Sequence, residues 1–477
     1  MKNQLILLTI VLLPTIGAFA LPVINLLSVK LRNISAFGFV FTSFILAIVI
    51  LPAVLTGKTI EVVFFNNLIF RADGLAVFMA FVSSFISAII ALYSFDYIGH
   101  YKNQNEYYLM IVLFLGAMMG LVFSANLILM YVFWEITAIT SWRLIGFFRE
   151  DQHLYRANKA LLVTAFGSLF MLLGFILLYE QTGSFELPAI KQAVAVNPIS
   201  NFIVALILIG ILSKSATLPF HTWLPDAGVA PAPVTALLHA AVLVKIGVYV
   251  FARLFVVTIP IESCWTIIVP VIAGVSALVA GGAALVDTDL KRIIAYSTVS
   301  QIGFIFLGLS IDNTIGLTGA LLFILMHGLS KAGLFLCAGI VEQNSGTKDI
   351  TKISGLIHTM PVTAVSFLLC AFSVMGIPPF GGFFSKYMVI AGTLQTGSLT
   401  IALVFIFGSV LTILYLFRVF NHVFLGESVP ASPSEGSPLM VTCVALFALL
   451  SIAAGFLISY PGKIAQSVVQ EMMSGLQ

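Results

Sequence analysis

The sequence predicts an all-α polytopic membrane protein with about fourteen transmembrane helices. We expect these helices to form two inverted five-helix repeats, each with a broken helix. Three observations support this fold class. The 477 residues are 60% hydrophobic and only 9% charged, whereas soluble domains carry about 25% charged residues. Long apolar runs recur without a period-two alternation, which favours helices over a barrel. The chain also resembles itself at an offset of about 160 residues.

Each predicted span is a run of about 20 mostly apolar residues, which is the length that crosses a bilayer. The fourteen runs are 4–29, 35–56, 73–95, 108–124, 126–147, 157–180, 199–218, 232–256, 264–286, 290–310, 313–341, 361–392, 398–424 and 438–460. The first run is too long for the apolar region of a signal peptide, which has about 7–15 residues. We therefore interpret it as the first span.

The Lys and Arg residues of the connections indicate an orientation, because cytoplasmic loops are enriched in them. With the N-terminus outside, eleven fall on the cytoplasmic side and six on the external side. The cytoplasmic residues are Lys30, Arg32, Lys102, Arg149, Arg156, Lys159, Lys291, Arg292, Lys348, Lys352 and Arg418, and the external ones are Lys2, Lys58, Arg71, Lys191, Arg253 and Lys463. We expect a multi-pass protein of the cytoplasmic membrane with both termini outside.

The internal resemblance indicates a repeat of five spans. LPFHTWLPDA (218–227) matches PPFGGFFSKY (378–387), and KALLVTAFG (159–167) matches GALLFILMHG (319–328). Five is odd, so the second copy must cross the membrane in the opposite sense. Both copies contain a helix break, at Pro219 and at GIPPFGG (376–382). Broken helices in corresponding places of two halves indicate an ion site.

These patterns divide the chain into four parts. Residues 1–107 form an N-terminal three-helix segment, and residues 108–257 form the first five-helix repeat. Residues 258–425 form the second repeat, and residues 426–477 form a C-terminal helix and tail.

Five ionisable residues lie at apparent mid-membrane depth, namely Glu135, Lys214, Lys245, Lys331 and Lys386. A charge at this depth costs at least about 2.5–3.5 kcal/mol. Snorkelling to the interface is the alternative for a membrane lysine. It fits poorly for Lys214 and Lys245, which have long apolar stretches around them. A buried lysine gives up its proton more readily than one in water, and a nearby carboxylate reverses this. Glu135 is the natural partner for Lys214.

Other polar residues have weaker claims to such a role. His327 lies four residues before Lys331, so the two share a helix face and are candidate relay groups. His239 is a weaker relay candidate, and Lys291 is a weaker candidate for a residue lining an access path. We expect Asp226 and His221 to cap the hairpin after the first break and Arg143 to reach the interface. For His239, His327 and Lys291, a purely structural role remains the alternative.

The sequence contains no sign of a bound cofactor or metal. Its four cysteines are Cys264, Cys337, Cys370 and Cys443, all widely separated, and no Gly-rich phosphate loop or basic nucleic-acid patch is present. We expect neither a cofactor-binding site nor a metal site, and no nucleic-acid partner. Redox chemistry would therefore take place in another subunit.

Several motifs together resemble a known family. FWEITAITSWRLIGFF, KSATLPFHTWLPDAGVAPAPVTALLHAAVLVKIGVYVFAR, DLKRIIAYSTVSQIGF, HGLSKAGLF and GIPPFGGFFSK are similar to the antiporter-like proton-translocating subunits. This family is shared by complex I (NADH–quinone oxidoreductase), group 4 membrane-bound hydrogenases of the formate hydrogenlyase type, and Mrp-type cation/proton antiporters. The resemblance implies fourteen helices and a proton-translocating axis through Glu135, Lys214, Lys245, His327, Lys331 and Lys386.

The resemblance leaves three functions open. The leading one is a non-redox, ion-translocating subunit of a redox-driven complex of the hydrogenase or NADH/quinone type. Its expected partners are lipid, other integral membrane subunits and a peripheral iron–sulfur arm carrying the hydrogenase or dehydrogenase. The second is a subunit of an Mrp-type Na⁺/H⁺ antiporter without a redox partner. The third is the membrane subunit of an energy-coupled pump for inorganic carbon.

Overall fold

The computed structural model describes residues 2–64, 68–427 and 435–474. The N-terminal helices are α1 (Lys2–Leu27), α2 (Val29–Leu55) and α3 (Gly74–Tyr97), with strands β1 (Ile60–Phe64) and β2 (Leu68–Ala72) between α2 and α3. They are followed by α4 (Gln104–Phe123), α5 (Leu127–Ile145), α6 (Asp151–Thr182), α7 (Leu187–Val196), α8 (Asn201–Lys214), α9 (Trp223–Asp226), α10 (Ala232–Ala236) and α11 (Leu243–Phe251). The remaining helices are α12 (Trp265–Val286), α13 (Leu290–Ser310), α14 (Thr314–Ser345), α15 (Pro361–Met375), α16 (Gly381–Gln395), α17 (Leu399–Phe424), α18 (Pro438–Phe456) and α19 (Ser459–Ser474).

The predicted fold class is confirmed. Among the described residues, 12 helices are long and apolar enough to cross a membrane. The two other predicted spans are the ones with proline breaks. In the structure, 199–218 contains the short helix α8, and 361–392 is divided into α15 and α16. The count of fourteen spans therefore stays a prediction. The four-part division of the chain also stays a prediction, and its first boundary falls inside α4.

The two breaks have the same backbone hydrogen bonds, 160 residues apart. After α8, the N–H of Thr217 donates to the carbonyl of Leu212 at 3.0 Å. After α15, the N–H of Ile377 donates to the carbonyl of Phe372, also at 3.0 Å. The sequence repeat thus corresponds to a repeat of local structure.

A left-handed residue turns the chain at each break. These residues are Ala216, with φ +51°, and Gly376, with φ +82°. A left-handed residue is a common way to end a helix, and glycine adopts it without a steric penalty. The Leu218–Pro219 and Pro378–Pro379 peptide bonds are cis.

A second repeated feature joins the ends of long helices. The N–H of Leu127 donates to Phe185 O, and the N–H of Leu290 donates to Lys348 O, both at 2.8 Å. Each bond links the start of one span, α5 or α13, to the chain just after the 32-residue helix that follows it, α6 or α14. α6 packs against α8, and α14 packs against α16. The long helices therefore support the broken ones.

Two elements depart from the sequence analysis. Strands β1 and β2 form an antiparallel hairpin, with Glu61 paired to Arg71, where the sequence analysis expected a plain connection. The C-terminal tail forms helix α19, which packs on α3 and α14. A carboxylate oxygen of Glu471 accepts a hydrogen bond from the N–H of Gly74 at 2.9 Å. This bond fastens α19 to the start of α3.

A buried ion pair joins α3 to the helical segment Ala252–Thr258 that follows α11. The Arg253 guanidinium donates to both carboxylate oxygens of Asp73, at 2.5 and 2.6 Å, and to the Tyr249 hydroxyl. Burial by itself raises the pKa of Asp73. The charge and hydrogen bonds of Arg253, the Ala76 N–H and the charge of Arg71 together outweigh burial and hold that pKa below its ordinary value. The sequence analysis counted Arg253 and Arg32 as cations of the connections. Both are buried in helical segments instead.

We expect Arg253→Leu to lower the free energy of unfolding by about 3–5 kcal/mol, because it leaves the buried Asp73 carboxylate without its partner. The double variant Asp73→Asn/Arg253→Leu should lose clearly less, because it buries no unpaired charge. Tryptophan fluorescence during titration with a denaturing detergent measures both losses. Equal losses in the two variants would contradict a role for the ion pair.

Candidate functional site

The first break places a lysine inside the protein at the end of a half-helix. Lys214 is the last residue of α8 and is 0% exposed. Its ammonium donates to the carbonyl of Trp134 at 3.1 Å and lies 5.2 Å from the centre of that residue's ring. The negative end of a helix dipole stabilises a cation, and the aromatic face attracts one. This pocket therefore holds a charged lysine without a direct carboxylate partner.

Glu135 lies next to Trp134 on α5, so the predicted partners come together on neighbouring residues. The Glu135 side chain is half-buried, and its Oε1 atom is buried without a hydrogen-bond partner in the described part of the chain. No nitrogen–oxygen distance between Glu135 and Lys214 is within 4.0 Å, although the charge of Glu135 acts on Lys214. The two residues are thus an interacting pair but not a closed salt bridge.

Lys245 sits where the next helix is irregular. Residues Leu237–Ala241 form a π-helical turn before α11 begins, and such turns are frequent at functional sites. The Lys245 ammonium donates to the carbonyl of Ala240 in this turn and to the carbonyl of Ile324 on α14, the latter at 2.9 Å. A Cβ at Gly328 would lie 2.6 Å from the Lys245 nitrogen, so a glycine is needed for this approach.

α14 carries two of the predicted residues on one face. Lys331 is 0% exposed and donates to Ile294 O at 2.9 Å and to the Ser297 hydroxyl at 2.6 Å. Both ring nitrogens of His327 are buried without a hydrogen-bond partner among the described residues. Both ring nitrogens of His239, in the π-helical turn, are also buried without a hydrogen-bond partner among the described residues. These imidazoles can accept or donate a proton without first breaking a hydrogen bond within the described chain.

Lys386 binds the end of the other half-helix. It lies on α16, and its ammonium donates at 2.8 Å to the carbonyl of Val374, in the last turn of α15. It also lies 4.5 Å from the centre of the Phe304 ring and 5.6 Å from that of Phe323. The Phe323 ring in turn packs against His327, with the two centres 6.0 Å apart. Lys386 is thus close to the α14 residues.

The predicted residues form one connected group, which we call the buried axis: Glu135, Lys214, Lys245, His327, Lys331 and Lys386. The charges of Lys245, Lys331 and Lys386 all act on His327, which is therefore central. Lys214 lies with Glu135 at the end of the buried axis away from Lys386. A Cβ at Gly247 would lie 2.1 Å from the Ser215 hydroxyl, so the chain just after Lys214 packs tightly against the helix of Lys245.

The weaker candidates have other partners. Lys291 is buried, forms an ion pair with Glu342 and donates to Ala230 O at 3.0 Å. Asp226 pairs with Lys159 and Arg292 at 2.7 and 3.2 Å, which goes beyond capping the hairpin.

Arg143 pairs with Glu106, which also pairs with Arg149, and its reaching the interface stays a prediction. Glu106 and Glu342 were missed by the sequence analysis. Both lie at helix ends, where a single acidic residue gives no distinctive pattern.

The comparisons with known proteins agree on a family. Residues 124–412 match the family described as NADH:quinone oxidoreductase/Mrp antiporter, transmembrane. The Na⁺/H⁺ antiporter subunit A1 of Staphylococcus aureus, for example of strains N315 and Newman, is 34% identical over 435 residues. That match covers 85% of this chain and 54% of the relative. The chain thus spans about half the length of the curated relatives that it matches.

Two solved structures share the fold. A chain of the Mrp complex from Dietzia sp. DQ12-45-1b has a TM-score of 0.90 at 22% identity, with both chains covered completely. A chain of the membrane-bound sulfane sulfur reductase, an archaeal respiratory membrane complex, has a TM-score of 0.91 at 25% identity, with 98% of both chains covered. From the family match and these likenesses, the chain belongs to the NADH:quinone oxidoreductase/Mrp antiporter family and is an antiporter-like, multi-pass membrane subunit.

Proposed function

We propose that this chain translocates protons across the cytoplasmic membrane along the buried axis, with His239 as a secondary member and Lys291 lining an access path. One observation carries the proposal. The ammonium groups of Lys214, Lys245, Lys331 and Lys386 are buried and are held by backbone carbonyls. None of the four has a carboxylate oxygen within 4.0 Å among the described residues.

This arrangement suits groups that must gain and lose a proton. A lysine closed onto a carboxylate is held in its charged form, because deprotonation would leave a buried unpaired anion. A carbonyl carries no net charge, so it stabilises the ammonium without fixing its protonation state. Burial opposes the positive charge of the lysine. A modest change in the local electric field is therefore sufficient to shift the equilibrium between charged and neutral lysine.

The mechanism that we propose is electrostatic. Movement of charge in a neighbouring subunit changes the interaction between Glu135 and Lys214, and Lys214 passes its change of proton state to Lys245. His327 takes part next, because one nitrogen of a neutral imidazole accepts a proton while the other can release one. Lys331 and Lys386 complete the path. Unpaired polar atoms along the path, such as the Ser215 and Thr217 hydroxyls, suit hydrogen-bonded water.

Protons are a better match than sodium to these residues. Sodium requires a compact set of oxygen ligands, and the buried axis has Glu135 as its only carboxylate. Its other members are amines and imidazoles, which are proton-carrying groups. We therefore assign sodium, where it is transported, to another part of the assembly.

We further propose that the chain works within a complex containing other integral membrane subunits, with both termini outside. A redox-driven complex, to which we assign a peripheral iron–sulfur arm, is in keeping with the likeness to a chain of the archaeal respiratory membrane complex along nearly the whole chain. A Na⁺/H⁺ antiporter without a redox partner is supported by the 34% identity to the antiporter subunit A1. The buried axis translocates protons in either kind of complex.

We expect Lys214→Ala to reduce the initial rate of proton movement at least tenfold, because it removes the titrating group next to Glu135. Lys214→Arg should be similarly inactive, since arginine keeps the charge but does not release its proton. A pH-sensitive dye in vesicles reconstituted with the whole complex measures the rate.

Lys352→Ala is the matched control for these variants, because Lys352 is an exposed lysine whose one ion pair within the described ranges is with Asp349. It should leave the rate unchanged. Normal rates in both Lys214 variants would exclude the mechanism, whereas activity in Lys214→Arg alone would indicate that only a fixed charge is required.

We expect other integral membrane proteins to copurify with the chain in mild detergent, in ratios that are fixed across preparations. Mass spectrometry of the purified assembly identifies them. Iron–sulfur proteins among them would favour the redox-driven complex, and small membrane subunits alone would favour the antiporter. An isolated chain that moves protons at the full rate would contradict the need for partners.

A further inference from the structure

A cavity of about 430 Å³ lies apart from the buried axis, at the membrane face where β2 leads into α3. Its walls come from β2, from the short surface helix α7 and from the segment Ala252–Thr258. Three cationic side chains line it, namely Arg71, Lys191 and Arg253, together with one carboxylate, Asp73. Its volume is within the usual range for small-ligand sites, about 300–1,000 Å³.

The cations of this cavity retain free hydrogen-bond donors. Arg253 uses three of its five N–H groups, two on Asp73 and one on Tyr249, which leaves two. Lys191 donates to Val257 O at 3.0 Å, and an ammonium has two further donors. The Arg71 Nε atom is buried and has no hydrogen-bond partner in the described ranges. Its nearest carboxylate oxygen, on Glu61, is 3.7 Å away.

The charge of the cavity is unbalanced in favour of an anion. Three cations and one carboxylate give a net lining charge of +2, from 3 − 1, and the ion pair of Arg71 with Glu61 outside the lining reduces this to +1. Burial and the positive charges of Arg71 and Arg253 lower the pKa of Lys191. The three cations thus repel one another, and a bound anion would relieve this repulsion.

The surroundings favour a ligand at the membrane surface. Leu187 and Val257 contribute apolar wall to the cavity. Val196, which follows the lining residue Ala195 at the end of α7, is 88% exposed. Cationic donors next to an exposed apolar side chain match the two chemical parts of an anionic lipid.

We propose that this cavity binds a phosphate-class oxyanion, carried by an anionic phospholipid or present as free phosphate. Arg71 and Lys191 supply the free donors. Arg253, which Asp73 holds in place, contributes positive charge to the cavity wall. Arginine is well suited to phosphate oxygens, since its planar fork matches their geometry.

The test uses the chain with its copurifying subunits, delipidated in detergent and titrated with phosphatidylglycerol. Native mass spectrometry measures the bound lipid, and calorimetry measures binding of inorganic phosphate. We expect one phosphatidylglycerol site, which Arg71→Gln/Lys191→Gln weakens at least tenfold. Lys58→Gln is the matched control, because Lys58 is an exposed cation just before β1 and does not line the cavity. It should bind normally.

The outcomes separate the two sources of the ligand. Binding of lipid that inorganic phosphate does not displace supports a phospholipid headgroup. Displacement by phosphate, with the same loss in the double variant, supports a free anion. Unchanged binding in the double variant, or an equal loss in Lys58→Gln, overturns the proposal. If the double variant elutes as an aggregate, Arg71→Lys and Lys191→Gln replace it as single variants, and each should bind more weakly than the unmodified chain.

Discussion

The organisation of this protein depends on which atoms accept hydrogen bonds from the lysine ammonium groups buried in its hydrophobic interior. Most carbonyls of a regular helix already accept a hydrogen bond from their own helix. The Trp134, Ile324 and Ile294 carbonyls accept a lysine in addition. Interrupted helices release other carbonyls. Lys386 binds the last turn of α15, and Lys245 binds the π-helical turn before α11. Lys214 lies at the end of α8, where its own helix stops. The helix breaks therefore account for the positions or acceptors of Lys214, Lys245 and Lys386, whereas Lys331 binds α13, a regular helix.

The internal repeat places an interrupted helix in each half of the molecule. The same hydrogen bonds recur after α8 and after α15, so each half provides one interrupted helix at the corresponding place. α14 joins the two halves, because it provides the Ile324 carbonyl for Lys245 and carries His327 and Lys331. A single long helix therefore connects the lysine of one half to that of the other.

Cations near the membrane faces are held differently. Arg253 is fixed on Asp73, Lys291 on Glu342, and Arg143 on Glu106. Removing one partner of such a pair leaves a buried or half-buried charge, so these pairs fasten neighbouring helices together. The contrast between carboxylate-bound cations at the faces and carbonyl-bound lysines in the interior matches a rigid frame around a titratable path.

The sequence by itself determined the membrane class, the order of the spans, the repeat and the residues of the buried axis, because apolar runs and isolated charges within them are local patterns. Tertiary structure decided which atoms those residues contact. The Trp134 and Ile324 carbonyls have no signature in the sequence, since every residue has a carbonyl. Likewise, Arg253 looked like a loop cation until folding brought Asp73, 180 residues away, against it. Contacts between distant residues depend on the packing of helices, which local composition does not specify.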